Sequence, residues 1–224
     1  MLQSSSLKNH SPAARQMNPG YAKALAPSLL FGYLLPTTLM YAYKDLYTQQ
    51  GLIAFWQITP FLVNVLLALF TRWFGPTIAA PSKTGKTNPS DKDALYIKTL
   101  YGICLIVSML SHFAMLYCCV VLSTQPQILV KTFIPELAKL NESTGNFLHY
   151  MFQVDYLIIF ASSLLWAVVA VEDMRRAGKA EVSLVQLLVV VTLGTIVIGP
   201  AGTTVAIWWW RENKMEAGLK ERTS

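Results

Sequence analysis

Apolar residues dominate five stretches of this chain, at 22–43, 52–73, 94–122, 147–171 and 182–210, and polar connections separate them. At about 1.5 Å of rise per residue, each stretch as a helix is long enough for a hydrocarbon core of about 30 Å. The pattern predicts an all-α polytopic membrane helix bundle of about five transmembrane helices, the last one broken at Gly199-Pro200. A transmembrane domain then occupies 21–213, behind a mobile cytosolic arm over 1–20 and ahead of a polar tail over 214–224.

Punctuation within the runs refines this picture. Pro27 and Pro36 lie inside the first run, and a proline in a span needs neighbours that satisfy the carbonyl it frees, so Pro36-Thr37-Thr38 marks a kink facing protein. The turn from Lys44 to Gln50 is short enough to demand an antiparallel neighbour. Residues 75–93 read as a solvated loop. Its SKTGKT resembles a phosphate-binding loop, but that pattern needs glycine where Ala80 stands and a strand ahead of it. In the last run Pro200 has no N–H for the Ile196 carbonyl. Gly199-Pro200-Ala201-Gly202 is therefore either a kink lining a cavity or the tip of a re-entrant segment. Trp208-Trp209-Trp210-Arg211 reads as an interfacial anchor.

Composition agrees with a bilayer environment: 54% of the 224 residues are hydrophobic and 13% charged, with a mean hydropathy of +0.42. A net charge of +6 raises nucleic acid as a partner, but the basic residues lie scattered between the runs and build no basic face, so none is expected. Cys104, Cys118 and Cys119 share one run without metal or disulfide spacing and read as packing thiols. No metal or cofactor is expected. Lys and Arg concentrate in the arm, in 75–93 and in 172–181, which puts the amino terminus in the cytosol. The sequon at Asn141 then falls in the lumen, where glycosylation can occur, and the endoplasmic reticulum is the expected membrane. The basic tail fits that topology only if the break at Pro200 is re-entrant.

Candidate chemistry starts from Asp155, the only formal charge in 147–171. A carboxylate at that depth needs a partner, a wet cavity or a proton. Counted from the lumenal edge, Asp155 lies about 12 Å deep and His112 about 15 Å, with Gln57 about one turn shallower. Pro200, ten residues before Trp210, returns to about 15 Å. The layer suggests Asp155 and His112 as catalytic residues. Gln57, Trp56, Tyr101, Tyr156, Trp166 and Pro200 would line the substrate site, since aromatic faces stabilise cations. The plainer alternatives are that Asp155 bonds a neighbouring helix, that His112 bonds a backbone carbonyl or Ser108, and that the aromatic residues pack the bundle or its interfacial belt. His149 reads as a wet rim residue, and Asp45 as a solvated cap.

The runs ALAPSLLFGYLLPTTLMYAY, IAFWQITPFLV, YGICLIVSMLSHFAMLY and IVIGPAGTTVAIWWWRE together resemble the carboxy-terminal portion of fungal integral-membrane proteins encoded with secondary-metabolite genes. Some of these are terpene or meroterpenoid cyclases. The resemblance covers roughly residues 20–213, and the members in question are longer, with more spans ahead of the first one here. A related group uses an intramembrane Glu and Asp pair; here Gln57 and Asn64 are the polar residues of the second span, so no such pair is carried over. The resemblance implies a membrane-bound cyclase, in which an epoxide or alkene of an apolar prenylated substrate is protonated, the cation closes a ring and a proton is lost. Asp155 would be the acid and His112 or water the final proton acceptor. Two other readings stay open: a membrane scaffold or assembly subunit with a protein partner or in an oligomer, and half of a transporter, against which no internal repeat is found.

Overall fold

The computed structural model describes residues 19–43, 45–74, 89–125, 127–137 and 143–220. Residues 1–18 of the expected arm, most of the 75–93 loop and Asn141 of the sequon lie outside them. Regular structure among the described residues is helical throughout, as the runs predict. The chain divides into two compact units, Met1–Leu100 and Tyr101–Ser224.

In the first unit, α1 (Pro19–Leu29) passes through a π-helical turn at Leu30–Leu34 into α2 (Leu35–Ala42). The expected distortion thus precedes Pro36 as a π turn, a common way for a helix to absorb a local mismatch. After the connection α3 (Leu46–Trp56) begins, capped by Asp45, whose carboxylate accepts the Thr48 N–H at 2.8 Å. That bond holds the Asp45 pKa below its ordinary value, and the residue is the solvated cap expected of it. α4 (Thr59–Trp73) follows across a 61° bend. The bend sits where Pro60 has no N–H for the Trp56 carbonyl, and the Thr59 hydroxyl takes that carbonyl at 2.8 Å. α2 packs on α3, and α1 with the π turn packs on α4. Gly32 permits the approach: a Cβ there would come within 2.8 Å of the Val63 side chain and 3.1 Å of its Cα.

α5 (Pro89–Tyr117) runs from the first unit into the second and ends in a π turn at Cys118–Leu122. A short α6 (Ile128–Phe133) leads to α7 (Thr144–Arg176), which starts at a Ser143 cap. It ends at Gly178, whose φ of +68° completes the closing turn with bonds from Gly178 N–H to the Arg175 carbonyl and from Lys179 N–H to that of Met174. Below that end Glu172 binds Arg175 at 2.7 Å and Arg176 at 2.9 Å. Gly20–Ala42, Leu95–Leu122 and Gly145–Arg176 are long and apolar enough to cross a membrane, and the bent α3–α4 pair makes up to four.

The fifth expected span, 182–210, does not form one. It is two helices, α8 (Leu184–Val197) and α9 (Gly199–Lys220). Leu187 and Ile207 share one buried cluster with Ala167 and Val171 of α7. Residues that far apart in a continuous helix would be separated by about 30 Å, so α8 and α9 double back as a hairpin. Thr203 lies so close to Gly194 that a Cβ on the glycine would meet its hydroxyl at 2.8 Å. With 14 residues, α8 rises about 21 Å, short of the hydrocarbon thickness. At the Gly-Pro break the chain thus reverses direction between two helices.

A doubling back returns the carboxy terminus to the side of the Gly178 turn. A reporter fused after Ser224 is expected to match the sidedness of one inserted at Gly178 in a protease-protection assay; opposite sidedness would refute the hairpin.

Candidate functional site

The second unit holds a half-open cavity of about 420 Å³ whose walls are mostly apolar. α5 gives it Ser108, Ser111, His112 and Met115; α6 gives Thr132 and Phe133; α7 gives His149, Phe152, Gln153, Tyr156 and Phe160; the hairpin tip gives Gly199, Pro200 and Ala201. The α7 contributors recur at spacings of three and four residues, the stripe that a helix presents on one side. The base of the hairpin packs at Val171 and its tip reaches the level of Tyr156, about 22 Å along α7, which matches the rise of α8.

His112 joins α5 to the tip. Its Nε2 lies 3.1 Å from the Ile196 carbonyl. That carbonyl belongs to the last turn of α8, where helix carbonyls lack partners, and Pro200, four residues on, offers no N–H. A carbonyl accepts only, so the bond places a proton on Nε2. Gly199 makes room: its φ is +81°, and a Cβ there would meet the His112 ring at 2.8 Å.

Gln153, buried at 7% exposure, donates from Nε2 to the carbonyls of Lys131 and Thr132 at 2.6 and 3.0 Å. Two carbonyl partners fix which end of the amide is nitrogen, and its oxygen is left as an acceptor. His149 Nε2 reaches the same Lys131 carbonyl at 3.2 Å. Tyr156 stacks edge-on against Phe160 with centroids 4.6 Å apart and contacts Phe133 at 6.0 Å. The chemistry available is therefore an imidazole fixed through Nε2, hydroxyls and a carboxamide in an apolar wall, with no carboxyl among the described lining residues.

Of the residues expected at the site, His112, Tyr156 and Pro200 come together here. Asp155 does not. It is exposed, it is not among the lining residues, and at 100° per residue it stands about 115° from the centre of the α7 stripe. Tyr101 is half-buried within electrostatic range of Glu212 and Arg211. Trp166 meets Trp208 edge-on at 5.7 Å, and Arg211 lies over Trp208 at 5.0 Å. These belong to the hairpin base and form an aromatic and basic anchor. Trp56 and Gln57 belong to the first unit: the Trp56 indole N–H donates to Thr37 Oγ1 at 3.0 Å, and Gln57 is the exposed cap of α3. Gln153, Ser111 and Thr132 were missed, and His149 sits on the cavity wall instead of being only a wet rim residue. The spacing His149, Gln153, Tyr156, Phe160 was the signal available for the α7 wall.

Fold and cavity together define a helical membrane protein with a small-molecule-sized apolar site at a re-entrant tip. The chain belongs to the CtvD domain family, which matches residues 1–215. It is 22% identical over 200 residues to the FAD-dependent monooxygenase verC1 of Penicillium polonicum, covering 89% of this chain and 24% of that protein. With the FAD-dependent monooxygenase BOA8 of Botryotinia fuckeliana the identity is 21% over 201 residues, covering 90% of this chain and 25% of that one. The chain thus spans about a quarter of the length of these relatives. No solved structure matches. The fungal kinship agrees with the resemblance, while the relatives' names speak of oxygenation and not of cyclisation. The residues here do not fit a flavin dinucleotide: no two glycines are spaced as in G-x-G, no strand occurs among the described residues, and no Lys or Arg lines the cavity to meet a pyrophosphate.

Gly199→Ala and Gly178→Ala both force alanine into left-handed backbone, a cost of about 1–2 kcal/mol. Only Gly199→Ala also collides with a neighbour, the His112 ring. Thermal unfolding in detergent is expected to show the larger loss for Gly199→Ala, and replacing His112 with Ala in that background should narrow the gap.

Proposed function

We propose that this chain is a membrane-embedded cyclase that receives an apolar, oxygenated prenylated metabolite from the bilayer and closes a ring by opening its epoxide. The observation that carries this reading is the His112 imidazole, held through Nε2 on the Ile196 carbonyl in the wall of an apolar cavity. The substrate's own hydroxyl attacks an epoxide carbon. A new C–O bond forms as the epoxide C–O bond breaks, His112 Nδ1 accepts the hydroxyl proton, and the Tyr156 O–H protonates the leaving alkoxide. The proton on His112 then returns to Tyr156, directly or through water. The step is an isomerisation and needs no oxidant.

No carboxyl stands among the described residues of the cavity wall, which favours epoxide opening over protonation of an alkene, a step that needs a stronger acid. Asp155 has no part in it. The two FAD-dependent monooxygenases to which the chain is similar support the epoxide: such an enzyme is the kind of catalyst that installs one. The endoplasmic reticulum, with the amino terminus in the cytosol, suits a lipophilic substrate arriving from that membrane.

A second reading is favoured by the relatives' fourfold greater length: the module is only a membrane anchor or scaffold for a monooxygenase. Membranes from a host expressing the chain, given a synthetic prenylated phenol epoxide, separate the two. Cyclised product is expected from the native chain, at least about 10²-fold less from His112→Gln or Tyr156→Phe at equal expression, and unchanged turnover from Asp155→Asn. No product from the native chain, or full activity in His112→Gln, would leave the anchor.

A further inference from the structure

Among the described residues of the cavity wall, Gln153 is the buried polar one, at 7% exposure. The two ends of its amide have different tasks. The nitrogen reaches the carbonyls of Lys131, Thr132 and Ile134 at 2.6, 3.0 and 3.5 Å, so the group cannot turn over without setting its oxygen against three acceptors. The oxygen receives no donor among the described residues. Nor is it sealed: the buried side-chain atoms without a partner there are Thr71 Oγ1, Trp209 Nε1 and Arg211 Nε, and the Gln153 oxygen keeps open surface where the residue borders the cavity. An amide oxygen left unmet in an apolar wall is costly, and a guest that brings a donor removes that cost.

We infer that Gln153 selects the guest: its oxygen accepts a hydrogen bond from a hydroxyl of a neutral, otherwise apolar molecule. Neutrality follows from the wall, whose described residues include no Lys, Arg, Asp or Glu, so that an ionised group would lose its water without meeting a counter-charge. The need for a hydroxyl follows from the oxygen, since an ether or ketone at that place would set acceptor against acceptor. Ser108 adds a second open group. Hydroxyls inside these helices commonly turn back to a carbonyl of their own helix, as those of Ser28, Thr37, Thr99, Thr192 and Thr203 do at 2.6–2.9 Å. That of Ser108 takes no partner among the described residues, and it stands in the cavity wall. A hydroxyl both donates and accepts, which suits a wall that offers both kinds of open group. In the ring closure it is a second hydroxyl of the substrate, because the attacking one passes its only proton to His112. The inference deepens the proposed function and rests on it only in taking the cavity as the guest's site.

The test titrates the full chain, purified in detergent, with three unreactive ligands of one skeleton: a farnesylated phenol, its methyl ether and the farnesylated benzene without the oxygen. Each affinity is corrected for partition into the micelles. The phenol is expected to bind about fivefold tighter than either of the others, in line with one neutral hydrogen bond. Equal affinities in the native chain would overturn the inference, the oxygen being served by water instead. Gln153→Met lacks both ends of the amide, whereas Gln153→Lys keeps donors for the α6 carbonyls and has no acceptor. Both variants are expected to abolish the phenol's advantage. That ratio is taken within one variant, so a loosened α6, which weakens all three ligands alike, does not move it. An advantage retained in Gln153→Lys would show that the hold on α6, and not the oxygen, sets the preference, and would equally overturn the inference. No epoxide takes part, so the outcome is separable from catalysis: selectivity without turnover of the epoxide removes the cyclase alone, and turnover without selectivity removes the role of Gln153 alone.

Discussion

A backbone carbonyl that loses its donor in an apolar interior has to find another, and in this chain that requirement fixes the centre of the second unit. Ile196 stands at the end of α8 with Pro200 beyond it, and His112 of α5 supplies the missing N–H. The same logic operates where Pro60 deprives Trp56 and the neighbouring Thr59 hydroxyl makes it good. The two solutions differ in reach. Thr59 repairs the bend locally, whereas His112 comes from a separate helix and ties α5 to the hairpin tip. Gly199 completes the arrangement, because neither its backbone conformation nor the His112 ring leaves space for a Cβ.

From that tie follow the position and the polarity of the cavity. The hairpin runs back along α7, so its tip ends among the aromatic residues of that helix. A backbone break is tolerated at such depth only where it is covered by protein or lines a cavity, and Gly199, Pro200 and Ala201 do the latter. The polar groups of the walls are largely committed to the scaffold. Gln153 and His149 hold the α6 carbonyls, and His112 holds Ile196. What remains open to a guest is the Gln153 amide oxygen and the Tyr156 phenol.

Counting depth from the sequence brought His112 and Pro200 to one level, and they do meet, but half of that agreement came from a wrong path. Pro200 was measured from Trp210 as if it stood at the far interface; Trp210 in fact packs at the hairpin base beside Val182 and the α7 core. Asp155 shows the opposite case. A depth counted along the sequence says nothing about rotation, and one residue's difference from Tyr156 turns it by about 100° onto another face. Trp56 and Gln57 belong to the first unit, where the Trp56 indole serves Thr37.

Apolar run length, proline and glycine punctuation and charge at the run ends determined the helical membrane class, the caps and the location of the breaks, since these depend on local backbone hydrogen bonding and on transfer of side chains out of water. The break at Gly199-Pro200 was legible as a break. Whether it bent a span or reversed it was decided by packing between residues far apart in sequence, Leu187 against Ile207 and Gly194 against Thr203. Which side of each helix faces inward was likewise left to the tertiary structure, because a run that is apolar all round carries no preferred face, and only the contacts of its neighbours choose one.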